Sequence, residues 1–385
     1  MSQKRNLVPG LCGVIIALSS VVTSCVATGS ENQSGWSVLG NGLSGGGLGT
    51  VNREDELLDG SALGLVVSPD GMLYVSGDFS KAGSVAANNI AKWDGNSWSP
   101  LGNGIDLPAE ALAVAKDGSL FAVGLFKELE ESPIVLGEFR RSIVARWDGA
   151  KWVSLGKSPL PPLARANALL VDNEGTLYLA GWTGAPCQCL FKRVGDKWLS
   201  VESTTISGVS NPNLAALAMD SKGVLYAGGT FRKVGTMPAN AIALRDHSQW
   251  SPLGSGIAGD GDVRTLALAS DGVLYAGGWF GTAGGVRAQN IAKWDGQKWS
   301  AIGAGLKGGV NAVAVSPDGA VFAAGGMKGG ILKFADSKWT SLDGGVDDEV
   351  NALAVASDGS VYVGGLFRRA GKVKANFVAK WHGAR

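Results

Sequence analysis

Asp70-Gly71-Met72-Leu73-Tyr74-Val75-Ser76-Gly77, continued by Ala91-Lys92-Trp93-Asp94-Gly95-Asn96-Ser97-Trp98, is the phrase on which the reading of this chain turns. A Ser-Pro-Asp-Gly type turn leads into a short β-compatible run that ends in glycine. A second run closes on Asp-Gly and is followed by another tryptophan. The phrase recurs. Its turn glycines are Gly71, Gly118, Gly175, Gly223, Gly272, Gly319 and Gly359, spaced 40 to 57 residues apart, the period of units that stack radially as four-stranded blades.

Each copy has room for four strands. In the sixth they are expected over 311–315, 321–325, 331–334 and 339–342. Along the innermost strand Ala312 and Ala314 alternate with Val313 and Val315, and Ala352 and Ala354 repeat the pattern beside Leu353 and Val355. Small side chains on one face and larger ones on the other suit sheets that crowd toward an axis. The last copy stops at Trp381-His382-Gly383, one strand short. Trp36-Ser37-Val38-Leu39-Gly40 stands alone near the N-terminus and matches Trp98-Ser99-Pro100-Leu101-Gly102. The expectation is therefore an all-β, seven-bladed β-propeller over residues 36–385, with the strand at 36–40 completing the last blade and covering an otherwise unpaired edge. A closed ring of this kind is expected to act as a monomer.

Composition fits that reading. The chain has 385 residues, 59 of them glycine, and only 17% are charged, as short strands joined by tight turns require. Residues 1–25 begin with Lys4 and Arg5, run through an apolar stretch broken at Pro9, Gly10 and Gly13, and end at Cys25. This reads as an export signal, too short and too interrupted for the roughly 20 apolar residues of a spanning helix. Val22-Thr23-Ser24-Cys25 resembles the lipobox of bacterial lipoproteins, which implies lipidation of Cys25 and a membrane anchor. Cleavage after Ala27, releasing a soluble product, is the other reading. Residues 26–35 form a linker. Lys4 and Arg5 are the only charges before Cys25, so without that segment 34 basic residues against 33 acidic become 32 against 33, a net charge of −1. Nucleic-acid binding needs concentrated basic surface, and none is present.

The repeat resembles kelch-type and related bacterial surface propeller repeats in the two phrases quoted above. It is also similar to the tandem repeats of fungal cortical polarity-marker proteins, through Asn290-Ile291-Ala292-Lys293-Trp294-Asp295-Gly296. The resemblance covers residues 36–385 and implies the fold; the usual kelch Tyr-Asp-Pro is Trp-Asp-Gly here. Function does not follow from such a fold.

Eleven of the thirteen tryptophans fall on the two repeat positions: Trp93, Trp147, Trp294 and Trp381 on one, and Trp36, Trp98, Trp152, Trp198, Trp250, Trp299 and Trp339 on the other. These are packing residues. Trp182 and Trp279, each four residues after the repeat tyrosine, fall on neither, and are either stacking platforms for a sugar or peptide or further packing. The Asp-Gly pairs at 70, 94, 117, 148, 271, 295, 318 and 358 are turn residues that need positive φ, lacking the dense oxygen ligands of calcium loops. His247 and His382 have no paired metal ligands, so no metal and no cofactor is expected. Cys187 and Cys189 form a possible disulfide. No nucleophile elbow or phosphate loop occurs in a suitable setting.

In such a ring the first-to-second and third-to-fourth turns share one face, and the second-to-third loops and interblade links share the other. The first face is uniform. On the second, the distance from repeat glycine to third-strand anchor is 16 residues in four blades, 23 in the second, 12 in the third and 9 in the sixth. Binding is expected on that variable face. Residues 41–60, with Arg53, Glu54, Asp55, Glu56 and Asp59, and residues 127–141, with Glu128, Glu130, Glu131, Glu138, Arg140 and Arg141, form either an acidic lip or solvated loops. The inner strands open at Leu63, Glu110, Asn167, Ala215, Arg264, Asn311 and Asn351. The five polar residues among them either line a ligand site at the channel mouth or, for asparagine, cap the incoming turn.

Three functions are consistent with these residues. The first is an exported, cell-surface or secreted non-catalytic scaffold that presents its variable face to a protein, peptide or glycan. The second is a carbohydrate-active or isomerising enzyme using Glu110 with Arg264 at the channel mouth. The third is an architectural spacer of the cell envelope.

Overall fold

The computed structural model describes residues 35–48, 57–126, 129, 142–161, 164–184, 186–259 and 261–383. The signal segment, Cys25 and residues 26–34 lie outside them, as do Glu54, Asp55, Glu56, Glu128, Glu130 and Glu131.

Each repeat phrase folds into four antiparallel strands in chain order. Gly64–Val67, Leu73–Ser76, Ile90–Trp93 and Trp98–Pro100 make the first sheet; Ala111–Val114, Leu120–Gly124, Ile143–Trp147 and Trp152–Lys157 the second. The third is Arg165–Val171, Leu177–Trp182, Leu190–Val194 and Lys197–Ser200, and the fourth Asn213–Met219, Leu225–Thr230, Ile242–Asp246 and Gln249–Pro252. Asp262–Leu268, Leu274–Trp279, Ile291–Trp294 and Trp299–Ala301 form the fifth, and Val310–Val315, Val321–Gly325, Ile331–Ala335 and Lys338–Ser341 the sixth. In the seventh, Val350–Val355, Val361–Gly365 and Val378–His382 are joined by Gly35–Val38, with Trp36 opposite Trp381 and Gly35 opposite His382.

The turns explain the Asp-Gly pairs. Gly71, Gly118, Gly272, Gly319 and Gly359 hold φ between +81° and +87°, and Gly95, Gly149 and Gly296 between +95° and +102°, a region in which a side chain is strained. The preceding aspartates fold back on their own turns: Asp94, Asp148 and Asp295 each accept two backbone N–H bonds, which hold their carboxyls below the ordinary range. The glycine of the Tyr-x-x-Gly phrase has a different cause. A Cβ on Gly278 would lie 1.9 Å from the Asp262 carbonyl oxygen, where a β-bulge presses the inner strand onto the second.

One apolar cluster fills each seam between successive sheets. Leu65, Leu73 and Val75 of the first sheet pack on Ala352, Ala354 and Tyr362 of the seventh, while Leu353 and Val361 face the sixth. The alternation of small and large residues thus sets which seam each inner-strand side chain enters. The innermost strands touch in series, and that of the seventh sheet touches that of the first.

Candidate functional site

The four second-to-third loops that share the 16-residue glycine-to-anchor spacing are not irregular. Each carries a short hairpin: Lys81–Ala82 with Val85–Ala86, Lys233–Val234 with Met237–Pro238, Thr282–Ala283 with Val286–Arg287, and Arg369–Ala370 with Val373–Lys374. Phe79, Phe231, Phe280 and Phe367 are buried beneath them. The link entering each of these sheets pairs with that hairpin, as Leu43–Ser44 does with Lys81–Ala82 and Ile257 with Ala283.

At the far side of each hairpin the chain re-enters the sheet through a left-handed residue, φ +60° at Asn89 and +63° at Asn290. Asparagine tolerates this conformation because its amide can bond locally. Asn290 does so three times: Oδ1 accepts the Phe280 N–H at 2.9 Å, and Nδ2 donates to the carbonyls of Leu306 at 3.0 Å and Gly308 at 2.9 Å. One asparagine thereby fixes a hairpin to the link leaving its sheet.

The fourth-strand tryptophans hold the same links from below. The indole N–H groups of Trp98, Trp152, Trp299, Trp339 and Trp36 donate to the carbonyls of Leu39, Leu101, Leu253, Ile302 and Leu342, all within 2.8 to 3.2 Å. Trp198 and Trp250 have buried indole nitrogens with no acceptor. The links that precede their sheets depart from the Leu-Gly-x-Gly-Ile pattern. Packing of the repeat tryptophans is therefore compounded with a specific tie.

The polar ring at the inner-strand starts is knitted between sheets. Asn167 donates to the Leu214 carbonyl at 2.9 Å, Asn311 to that of Val350 at 3.1 Å, and Asn351 to that of Ala62 at 3.0 Å. Each acceptor belongs to the neighbouring sheet. The capping of an asparagine's own turn, one of the two sequence readings, is replaced by this cross-sheet bond. Glu110 accepts from Ser142 and, at 2.7 Å, from the Ala166 N–H of the third sheet. Burial raises its pKa above the usual carboxyl range despite these donors. Arg264 binds Asp262 at 2.9 Å and Asn311 at 3.2 Å. Glu110 and Arg264 are thus engaged in different seams, and the arginine that acts on the Glu110 carboxyl is Arg165.

The residue after the repeat glycine, followed by a buried phenylalanine in five sheets, by Thr183 in the third and by Met327 in the sixth, changes from sheet to sheet: Asp78, Leu125, Trp182, Thr230, Trp279, Gly326 and Leu366. Several of these side chains reach over the next sheet. Trp182 donates to Asn211 Oδ1 at 2.8 Å, and Thr230 to Asp262 at 3.0 Å. Trp279 is 57% exposed. It lies across Gly309, where a Cβ would sit 2.9 Å from Trp279 Cε3 and 3.4 Å from Arg264 Nη1. Only a residue without a side chain leaves room for both.

Two clefts occupy equivalent places on this face. One, of about 540 Å³, is bounded by Asp78, Asn88, Asn89, Ile105, Asp106 and the chain at Gly45–Leu48. The other, of about 640 Å³, is bounded by Trp279, Gln289, Asn290, Leu306, Lys307 and the glycines 259, 261, 281 and 308. The buried Asp78 carboxylate accepts the N–H groups of Gly47 and Leu48, both at 3.0 Å, and so straps the glycine-rich segment over the first cleft. Lys307, Gly309 and Asp78 carry no motif of their own in the sequence. Alignment of the seven copies at the repeat glycine, five of which read Gly-x-Phe, is the signal that would have found Asp78.

Cys187 and Cys189 are buried, with their sulphur atoms bonded to one another and Cα atoms 5.2 Å apart, beside the short strand that replaces a full hairpin in the third sheet. His247 contacts Asp246 and His382 contacts Ser360. Among the described residues no group of three metal-ligating side chains occurs, and no helix is long and apolar enough to cross a membrane.

No protein-family model matches the sequence, and no curated protein matches it. Solved structures do. A chain of the mitotic checkpoint complex is similar at 14% identity and a TM-score of 0.56, over 96% of this chain and 99% of that one. The WD40 β-propeller domain of Doa1 is similar at 13% and 0.57, over 91% and 97%. YCF48 bound to D1 peptide is similar at 14% and 0.51, over 84% and 93%. At these identities the likeness establishes one thing: the chain is a β-propeller repeat protein.

Proposed function

We propose that the chain is an exported, non-catalytic binding scaffold, a seven-bladed propeller ring closed by the strand Gly35–Val38. In this reading the face that carries the hairpins and links is presented to a protein, peptide or glycan partner. The observation that carries the reading is the contrast between the two faces. One consists of short turns in which aspartates bond their own backbone, whereas the other carries the hairpins, both clefts and the exposed Trp279. A large exposed aromatic on a rigid rim suits recognition, because it offers contact area at small cost in side-chain entropy. The polar ring of Asn167, Asn311 and Asn351 serves as interlock between sheets, which leaves the rim and clefts as the contact surface. Pairing of Trp36 with Trp381 supports the ring closure, since an unpaired edge would invite association. Neighbours that assemble with other proteins or hold a peptide are consistent with this use of the fold. In this reading the repeat is of the kelch-like surface type, similar also to fungal polarity-marker repeats through its Trp-Asp-Gly phrase, and Cys25 is the proposed lipid attachment point of a cell-envelope protein.

The full chain is to be probed on peptide and glycan arrays beside a protein carrying Trp182→Ala and Trp279→Ala and a third lacking residues 127–141. The expected result is loss of retained ligands in at least one altered protein whose melting temperature is unchanged. Retention of every ligand by both would overturn the assignment of the face. Mass spectrometry of the exported product is expected to find diacylglycerol on Cys25; an intact N-terminal segment would contradict export by this route.

A further inference from the structure

The cleft beside Trp279 has a chemistry that narrows its ligand. Four glycines line it, so part of its wall is bare backbone beside the exposed Trp279 ring, with Gln289, Asn290 and Leu306 completing the boundary. Lys307 is exposed at its edge, and nothing among the described residues pairs with it. Arg264 sets its guanidinium against the same Gly309 that carries the Trp279 ring. Lys307 and Arg264 thus stand on either side of one exposed indole, with Arg264 held by Asp262 and Lys307 open at the edge.

A backbone donor points to the same ligand class. In the first and fourth sheets the residue after the buried phenylalanine gives its N–H to the paired link, Ser80 to the Ser44 carbonyl at 3.0 Å and Arg232 to the Ser207 carbonyl at 2.8 Å. In the fifth sheet the link pairs with its hairpin through a single bridge, Ile257 with Ala283, one residue short of that bond. The N–H of Gly281 has no acceptor among the described residues. It lies two residues from Trp279 and lines the cleft. A peptide carbonyl accepts from such a donor, a carboxylate is drawn by Lys307, and an apolar side chain covers the indole.

Resting on the reading of this face as the binding face, we infer that the Trp279 cleft takes an extended acidic peptide. The peptide sets an Asp or Glu carboxylate toward Lys307 and an adjacent apolar or aromatic side chain on Trp279. The equivalent cleft of the first sheet, with Asp78 and Asp106 in the corresponding places, has the wrong sign for this ligand.

The test uses the full chain and fluorescently labelled twelve-residue peptides with a central Phe-Glu pair, beside Phe-Gln and Phe-Lys versions, in low salt. Polygalacturonate serves as the acidic glycan. The Phe-Glu peptide is expected to bind at least tenfold more tightly than Phe-Gln, and the preference is expected to shrink in high salt. Trp279→Ala should remove binding, and Lys307→Glu should move the preference to Phe-Lys, with neither changing the melting temperature. Equal binding of the three peptides, an unchanged preference in Lys307→Glu, binding of polygalacturonate alone, or no peptide binding would each overturn the inference. The broader reading fails separately, when the altered proteins of the array experiment retain every ligand.

Discussion

The clefts of the first and fifth sheets share a backbone and differ in chemistry. Both are framed by a buried phenylalanine, a left-handed asparagine and a link tied by an indole. At the Gly-x-Phe position one has a buried aspartate and the other an exposed tryptophan; where one link places Asp106 the other places Lys307. The repeat therefore fixes the frame and varies the contents. Residues that recur from copy to copy report on folding, and in the proposed function the position that fails to recur is the one that meets the partner.

The largest effect expected is on the frame. Trp299→Ala removes a buried indole and its bond to Leu253, and should cost about 3–5 kcal/mol, read as a lower midpoint in chemical denaturation. Trp279→Ala, on the rim of the same sheet, should change stability by less than about 0.5 kcal/mol. A comparable loss in both proteins would erase the distinction between frame and content.

Asn290→Ala comes next. It orphans the Phe280 N–H and two link carbonyls while keeping a strained φ, and about 2–4 kcal/mol is expected. Asn89 holds its hairpin more loosely, with 3.4 Å to the Phe79 N–H and one link bond at 2.9 Å. Asn89→Ala should therefore cost less than Asn290→Ala in the same assay, and the reverse order would contradict the shared frame. Asp78→Asn leaves one of two backbone donors without its acceptor. A loss of about 1–2 kcal/mol is expected, with faster amide exchange at Gly47 and Leu48 and no change at Trp279.

Glu110 provides the smallest and most diagnostic effect, through pH. Burial raises its pKa in the folded chain above the unfolded value. Below the unfolded pKa both states hold the proton and nothing is lost. As pH climbs past it the unfolded chain releases the proton first, so stability falls until the folded pKa is passed. Glu110→Gln, which keeps an acceptor for the Ala166 N–H, should accordingly gain on the natural protein between about pH 4 and pH 7. Parallel denaturation curves across that range would mean that the carboxyl is not held in the seam.

Much of the frame was legible in the sequence. Trp36-Ser37-Val38 was readable as the missing partner of Trp381 because both sides of the pair carry the repeat. The hairpins were not, since strands of two residues such as Lys81–Ala82 are too short to show a period. They appear only as a constant loop length. The cross-sheet bonds of Asn167, Asn311 and Asn351 were equally hidden, because the acceptors lie in the next repeat and, apart from the Glu349 carboxylate that Asn311 also meets, are main-chain oxygens without a sequence signature. Trp182 and Trp279 stood out as tryptophans off the repeat positions. What seats the exposed Trp279 ring on the rim is Gly309, 30 residues later, whose missing side chain gives no signal until the two sheets are set side by side.

Peptide-array retention by the full chain, compared between Trp279→Ala on the hairpin face and Gln297→Ala in the Asp295-Gly296 turn on the opposite face, tests the division of labour most directly. Loss of ligands with the first change and full retention with the second is the predicted result. Loss with Gln297→Ala and retention with Trp279→Ala would contradict it.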